Sequence, residues 1–276
     1  DMLERAGAVL REVGTTNRTR LADYADAIGR RTGFLLRAHP SNYRVEGFTE
    51  RPPLDGLARL AREHGVPLVE DLGSGALVDL AAFGLPREPR PADSLRDGAD
   101  LVVFSCDKLL GGPQAGIAAG RADLVERLRR NPLRRALRVD KLAIAALAAT
   151  LDAWRGARDP AAEIPALGFL VRPLAELDAI AQEACGLLRA ALPAGFRLAV
   201  VDSEAEIGSG AQPGSRLPSR AIAVEHDELD AERIAAFFRK ARPSVLGRIA
   251  RERFLLDVKA VARASDLVPA SAGGRP

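Results

Sequence analysis

The sequence predicts an α/β fold with a mixed, mainly parallel sheet in a larger domain, followed by a smaller α+β domain. Between residues 21 and 80, helical and strand patterns alternate, as in the βαβ units that surround a parallel sheet. The strands are short, continuous apolar runs, which is typical of strands covered on both faces. The chain has 276 residues, of which 47% are hydrophobic, so it is long and apolar enough to bury a hydrophobic core.

The individual elements follow from apolar spacing and from polar or glycine residues at their ends. Helices show apolar residues three and four apart, and the second of the two helices between residues 21 and 64 is followed by Gly65, a common helix stop. Helices are predicted over residues 2–13, 21–31, 54–64, 123–130, 140–154, 173–192 and 230–242. Strands are predicted over residues 34–38, 66–70, 101–104, 196–201 and 221–224, with a hairpin-like alternation over 245–261.

These elements divide the chain into two domains and a tail. Residues 1–155 form the larger domain, and residues 156–263 form the smaller one after a linker that begins at Arg155. Residues 208–214 are predicted to form a flexible glycine-rich loop, and residues 264–276 a disordered tail. The first residue is not methionine and the chain opens inside a predicted helix, so we expect a piece of a longer protein.

Composition excludes several classes of protein. The 40 basic and 37 acidic residues nearly balance, which is too slight an excess to indicate a nucleic-acid partner. No apolar run approaches the roughly 20 residues that span a bilayer. Cys106 and Cys185 make no disulfide framework, which favours a reducing, cytoplasmic setting. The three histidines are scattered, so we expect no metal site.

Lys108 is the strongest candidate for chemistry. It follows an apolar strand and precedes Gly111 and Gly112, and it is one of only four lysines. A partly desolvated amine at this place would have a lowered pKa and could form a Schiff base. The alternative is an ordinary surface lysine in a turn, which is the commoner fate of lysine.

An enzyme that uses pyridoxal phosphate needs three further groups, and the sequence offers one of each. These are an acid for the pyridinium nitrogen, a donor for the phosphate, and a donor to the phenolic oxygen. Asp71, Ser105 and Asn42 can fill these roles, and each follows a predicted strand or stands at its end. The carboxyl ends of strands in an open α/β sheet converge on the site. Taken alone, Asn42 fits a turn residue better than a cofactor ligand.

The order Asn42, Asp71, Lys108 resembles that of fold-type I pyridoxal-phosphate enzymes. A narrower resemblance, to bacterial selenocysteine synthase, the L-seryl-tRNA(Sec) selenium transferase, rests on blocks between about residues 12 and 150. The most specific blocks are Asp-Lys-Leu-Leu-Gly-Gly-Pro-Gln at 107–114 and Arg-Ala-Leu-Arg-Val-Asp-Lys at 135–141. Weaker similarity extends through residues 217–219 and 255–257. Residues 1–155 would then be a partial pyridoxal-phosphate-binding domain.

The resemblance implies that seryl-tRNA(Sec) becomes selenocysteinyl-tRNA(Sec), with selenophosphate as selenium donor, through an aldimine and a dehydroalanyl intermediate. Lys108 would be both the aldimine lysine and the base at the α-carbon, and Asp107 would orient it or assist proton transfer. Arg135 and Arg138, three apart on one predicted helical face, would bind selenophosphate. A solvated basic helix is the alternative for these arginines. The resemblance also implies a homo-oligomer made of dimers, as large as a decamer.

Two other classes of function stay open at the sequence level. One is a different pyridoxal-phosphate lyase or transferase that acts on a small phosphorylated substrate, which the two arginines would hold. The other is an inactive, truncated fragment, because the resemblance places a tRNA-binding segment and a phosphate-cupping loop before residue 1.

Overall fold

A four-stranded sheet organises the first of two structural units. The structure is a computed structural model that describes residues 2–208 and 210–269. The first unit comprises Asp1–Ala157 together with Gly208–Gly214. Its strands are β1 (Leu35–Ala38), β2 (Leu68–Gly73), β3 (Leu101–Ser105) and β4 (Gly116–Gly120), in the order β1-β2-β3-β4. The first three are parallel and β4 is antiparallel to β3. The predicted mixed α/β sheet is confirmed.

Helices and a 3-10 turn connect these strands. The helices of the first unit are α1 (Met2–Arg5), α2 (Leu21–Ala27), α3 (Leu54–Glu63), α4 (Pro91–Arg96), α5 (Ala122–Arg130), α6 (Leu133–Leu137) and α7 (Lys141–Gly156). A 3-10 turn spans Leu80–Phe83. Asp140 caps α7 because its carboxylate accepts from the backbone N–H groups of Leu142 and Ala143, at 2.8 and 2.9 Å.

The two faces of this sheet have different environments. Along β2, Leu68, Glu70 and Leu72 are buried, while Val69 is half-buried and Asp71 is exposed. The buried face packs against the apolar side of α3. We expected strands covered on both faces, but within the described residues the face that carries Asp71 is partly open. This open face is where polar side chains reach solvent next to the strand ends.

Helix α1 is shorter than predicted. The pattern predicts a helix over residues 2–13, but α1 ends at Arg5, and Gly7 adopts a left-handed φ of 88°. Glycine adopts this conformation at little cost and so is typical just after a helix end. The apolar spacing beyond it therefore belongs to irregular chain.

The second unit comprises Arg158–Ile207 and Ser215–Pro276, and it is built on an antiparallel sheet. Its strands are β5 (Phe196–Glu206), β6 (Arg216–His226), β7 (Arg248–Ala250) and β8 (Arg253–Asp257), in the order β5-β6-β8-β7. The hairpin predicted near the end of the chain is β7 and β8. The helices are α8 (Pro160–Glu163), α9 (Pro165–Val171), α10 (Leu174–Ala191) and α11 (Ala231–Lys240).

The core of the second unit is apolar, with one polar link at the edge of β8. Helices α10 and α11 supply buried side chains that pack on β6 and β8. The buried Ser219 donates to Asp257 Oδ1 at 2.7 Å, and Ser203 donates to Asp257 Oδ2 at 2.5 Å. The two segments of weaker family similarity, 217–219 and 255–257, are thus joined by a hydrogen bond.

The predicted domain limits compare with the two units as follows. The predicted boundary after residue 155 lies two residues from the division after Ala157. The disordered tail predicted from residue 264 is wrong for Ala264–Leu267, which form a 3-10 turn with Ala264 and Leu267 buried in the core. The tail prediction did not take account of the apolar residues Ala264 and Leu267, which anchor this turn in the core. Residues 270–276 lie outside the described residues.

Candidate active site

Lys108 lies in a tight turn that begins where β3 ends. Backbone hydrogen bonds fix the turn: Cys106 donates to Ala115 at 2.9 Å and Gly112 donates to the Cys106 carbonyl at 2.7 Å. The N–H of Leu109 donates to the Ser74 carbonyl at 3.1 Å, which ties the turn to the chain after β2. The half-buried Lys108 side chain therefore starts from a rigid backbone.

The end of β2 lies close to the Lys108 amine. Gly73 has a φ of 73°, and a Cβ placed there would lie 3.8 Å from Lys108 Nζ and 2.7 Å from Ser41 Oγ. Ser41 is buried and follows β1 by three residues. The ends of β1, β2 and β3 thus converge around one amine, as predicted from the polar residues that follow the strands.

Asp71 and Ser105 line one cleft on the open face of the sheet. The cleft has a volume of about 310 Å³ and is lined by Asp71, Val103, Phe104, Ser105, Gly116, Ile117 and Ala118. Asp71 was predicted to follow its strand, but β2 runs on to Gly73, so the Asp71 carboxylate projects from the open sheet face. The register pairs Asp71 with Val103, and Ser105 lies two residues further along β3. A carboxylate and a hydroxyl therefore share an open, mostly apolar cleft.

Asn42 and Asp107 are exposed. Asn42 is the neighbour of Ser41, four residues beyond the end of β1, and Asp107 adjoins Lys108. Their predicted roles toward a cofactor and toward Lys108 stay predictions.

Arg135 and Arg138 are also exposed, and only the first lies in a helix. Helix α6 ends at Leu137, and Arg138 is extended, with a ψ of 136°. The expectation that both lie on one helical face is therefore wrong. The reason is local, because Pro132 starts a helix of only five residues between α5 and α7. Within the described residues neither guanidinium has an ion-pair partner, whereas Arg129 and Arg130 both pair with Glu126.

A buried ion pair supports the strands below the site. Glu70 is fully buried, and its Oε1 lies 2.6 Å from Arg37 Nη2 across the β1–β2 register. Its Oε2 has no hydrogen-bond partner within the part of the chain that the structure describes. Glu70 and Asp71 are adjacent acids in β2, so the sequence pattern could not indicate which of them is buried.

Burial also changes the titration of two groups near the strand ends. It lowers the pKa of His39 below the usual 6.5, and the buried Glu88, whose Oε1 lies 3.6 Å from His39 Nε2, acts in the opposite direction. Burial raises the pKa of the Cys106 thiol, with Asp107 adding to the rise. The thiol beside Lys108 is therefore a poor nucleophile.

Sequence reasoning missed the contribution of the segment between β5 and β6. Gly210, Ala211 and Gln212, in the predicted flexible loop, are buried. Gly210 contacts Lys108, since a Cβ built on it would lie 2.5 Å from Lys108 Nζ. A run of glycines indicates only conformational freedom, so no local signal could identify this contact.

Two further classes of site can be assessed within residues 2–208 and 210–269. No group of three or more histidine, cysteine or acidic side chains there is arranged to hold a metal ion. None of the helices described in that range has the length and apolar character needed to cross a membrane.

The sheet of three parallel strands followed by the antiparallel β4 has the fold class of the fold-type I pyridoxal-phosphate enzymes. D-glucosaminate-6-phosphate ammonia-lyase has a similar structure, with a TM-score of 0.58 and 20% identity, over 93% of this chain and 60% of that one. This likeness supports the fold alone.

A family profile described as L-seryl-tRNA selenium transferase matches residues 1–262, so the chain belongs to that family. Relatives named L-seryl-tRNA(Sec) selenium transferase include one from Hyphomonas neptunium, 47% identical over 259 residues, which covers 94% of this chain and 56% of the relative. A second, from Rhizobium meliloti, is 48% identical over 261 residues, with the same coverage of both chains. The chain thus spans about 56% of the length of these curated relatives.

Proposed function

We propose that the whole protein binds pyridoxal phosphate through Lys108 and converts seryl-tRNA(Sec) to selenocysteinyl-tRNA(Sec), with selenophosphate as the selenium donor. The observation that carries the proposal is the position of the Lys108 amine close to Gly73, which ends β2 two residues after Asp71. The family membership indicates the reaction, and the relatives, which are named L-seryl-tRNA(Sec) selenium transferases, indicate the seryl-tRNA substrate.

The residues around Lys108 fit this cofactor chemically. When bound, pyridoxal phosphate supplies an electron sink conjugated to the substrate's α-carbon. The Asp71 carboxylate, on the open sheet face, would hold a proton on the pyridine nitrogen, and Ser105 in the same cleft would donate to the phosphate. Asn42 would donate to the phenolic oxygen. The left-handed Gly73 leaves room for a flat ring near the backbone.

Lys108 would hold the cofactor covalently and take the proton from the substrate's α-carbon. Its backbone is fixed by the turn after β3, so only the four-carbon side chain has to move for it to exchange these tasks. Asp107, exposed beside it, would assist in proton transfer or orient the amine. Two roles for one amine require that its end be positioned accurately.

Arg135 and Arg138 would bind the selenophosphate. Both guanidinium groups are exposed and have no ion pair within the described residues, so they are free to chelate a phosphate-like anion. We further propose a cytoplasmic homo-oligomer assembled from dimers, which size-exclusion chromatography with light scattering would test.

The first experiment tests the cofactor. The chain is incubated with pyridoxal phosphate, reduced with borohydride, digested, and the modified lysine is identified by mass spectrometry. We expect modification at Lys108, lost in Lys108→Ala and retained in the matched variant Lys141→Ala, which removes an exposed lysine on α7. Specific modification of another lysine would contradict the assignment.

The second experiment tests the reaction in the whole protein. Seryl-tRNA(Sec) and selenophosphate are supplied, and selenocysteinyl-tRNA(Sec) is measured. Arg135→Ala and Arg138→Ala should each raise the selenophosphate KM, whereas Arg130→Ala, which removes an equally exposed guanidinium already paired with Glu126, should not. Turnover of a small phosphorylated amino acid without tRNA would instead indicate a different lyase. Cofactor attachment to the whole protein but not to this chain would indicate that the chain is an inactive fragment.

A further inference from the structure

A segment far from Lys108 in sequence folds onto the Lys108 side chain. This segment, residues 210–214, lies between strands β5 and β6 of the second unit but belongs to the first unit. Ala211 is 3% and Gln212 is 6% exposed, so the segment is packed rather than free in solvent. We call residues 210–214 the hairpin tip.

Gly210 in the hairpin tip contacts the end of the Lys108 side chain. A Cβ at Gly210 would lie 2.5 Å from both Cε and Nζ of Lys108, and 3.0 Å from Cδ. On another side, Nζ lies 3.8 Å from where a Cβ of Gly73 would be. The amine is therefore adjacent to two glycines, one on β2 and one in the hairpin tip. It can lie there because neither glycine carries a side chain that would occupy the same space.

Gln212 links the hairpin tip to a distant part of the first unit. Its side-chain amide nitrogen donates to the Pro86 carbonyl, 126 residues away in sequence. Gln212 also adopts a left-handed φ of 48°, which is unfavourable for a residue with a side chain, and its buried Oε1 has no partner within the described residues. Strained backbone and unsatisfied polar atoms persist where the surrounding structure enforces them, and such positions cluster at functional sites.

We propose that the hairpin tip is a positioning element for the Lys108 amine: Gly210 sets the position of the amine by contact, and Gln212 holds Gly210 in place. The proposal rests on the proposed function, because positioning matters for an amine that must alternate between holding a cofactor and moving a proton. Gly210 and Gln212 act through Lys108 and are positioning residues, not catalytic ones.

The test compares two alanine substitutions in the hairpin tip. Gly210→Ala introduces a methyl group that overlaps the end of Lys108, whereas Gly214→Ala introduces one at a φ of 75° with no atom within 4 Å. Both substitutions force a side chain into left-handed backbone, so their effect on folding is similar. Only Gly210→Ala displaces the amine, because the flexible end of Lys108 can swing away from the methyl group.

The readout is the reactivity of Lys108 in the chain without cofactor. A limiting amount of acetic anhydride is added, and peptides that contain Lys108, Lys141 and Lys240 are quantified, the last two being exposed internal references. We expect the ratio of Lys108 to reference labelling to rise in Gly210→Ala and to stay unchanged in Gly214→Ala. Borohydride-trapped pyridoxal phosphate on Lys108 should fall about tenfold or more in Gly210→Ala alone, because a misplacement of about 1 Å has effects of this size.

A third variant keeps the proposal testable if Gly210→Ala does not fold. Gln212→Glu has the same shape but cannot donate to the Pro86 carbonyl as a carboxylate, so it should free the hairpin tip and raise Lys108 labelling. Equal labelling ratios in Gly210→Ala, Gly214→Ala and the unsubstituted chain, or an unchanged ratio in Gln212→Glu, would overturn the positioning role. Failure of the unsubstituted whole protein to attach cofactor would instead overturn the proposed function.

Discussion

Gly75 offers a quantitative test of how closely the ends of β2 and β3 approach each other. It has a φ of 71°, and a Cβ there would lie 2.3 Å from the Ser105 carbonyl oxygen and 3.2 Å from Phe104 Cδ2. The obstacle is backbone at the end of a paired strand, so it cannot rotate aside. Gly75→Ala should therefore push β3 away from the chain after β2, at the place where Lys108 begins.

The magnitude follows from a comparison with Gly84→Ala. Gly84 has a φ of 75°, nothing within 4 Å of its added Cβ, and it ends the 3-10 turn Leu80–Phe83. Both variants lose about 1–2 kcal/mol of unfolding free energy from left-handed backbone. Gly75→Ala loses about 1–3 kcal/mol more, the usual cost of forcing extra atoms into a packed site.

The assay is urea unfolding followed by the fluorescence of Trp154. This is the single tryptophan of the chain, and its half-buried indole nitrogen donates to the Leu110 carbonyl at 2.8 Å, so it reports on the first unit. We expect the unfolding midpoint of Gly75→Ala to lie clearly below that of Gly84→Ala. Equal midpoints would refute the close approach of Gly75 to Ser105.

Three further predictions concern stability. Arg37→Met should lower the free energy of unfolding by about 3 kcal/mol, because it leaves the Glu70 carboxylate buried without its ion-pair partner. Arg59→Met, which breaks the exposed pair with Asp55, should lower it by about 0–1 kcal/mol. Equal urea midpoints for the two variants would argue against a buried charge. Ser219→Ala should cost about 1.5–3 kcal/mol, the range for a hydrogen bond to a charged group, because it removes a buried donor to Asp257; thermal melting with Ser244→Ala, whose exposed hydroxyl bonds only backbone carbonyls, is the comparison. Burial lowers the pKa of His39 in the folded state; Arg51 and Arg37 lower it further, whereas Glu88 and Glu70 act in the opposite direction. The unfolded chain therefore binds the proton first as the pH falls below about 6.5, so the folded state loses stability there. His39→Asn should show a shallower loss of stability between about pH 7.5 and 5.5.

The sequence predicts β1, β2 and β3 because their apolar runs are short and end in polar residues, but it does not predict β4. The position of Lys108 after β3 follows from the same pattern, as does the convergence of the chain after β1, β2 and β3. The helix predicted over residues 2–13 is wrong because a single left-handed glycine outweighs apolar spacing. Arg138 lies outside a helix because α6 is only five residues long.

The rest of the site depends on contacts between residues far apart in the chain. The approach of Gly210 to Lys108 joins positions 102 residues apart (210 − 108), and no local preference determines it. The pairing of Glu70 with Arg37 depends on the register of two strands. Which of the adjacent acids Glu70 and Asp71 is buried could not be read from a run in which both are polar.

The two neighbouring carboxylates of β2 also favour one register of this strand over its neighbours. Glu70 points to the core and meets Arg37, while Asp71 points to the open cleft. Successive side chains alternate between faces, so sliding β2 by one position would move Asp71 into the place of Glu70 and Leu72 into the place of Asp71. The core would then receive an aspartate one methylene too short for the Arg37 contact, and the cleft would lose its carboxylate. Misaligned molecules would therefore lose both stability and cofactor contact at once, and could be separated from correctly aligned ones by either property.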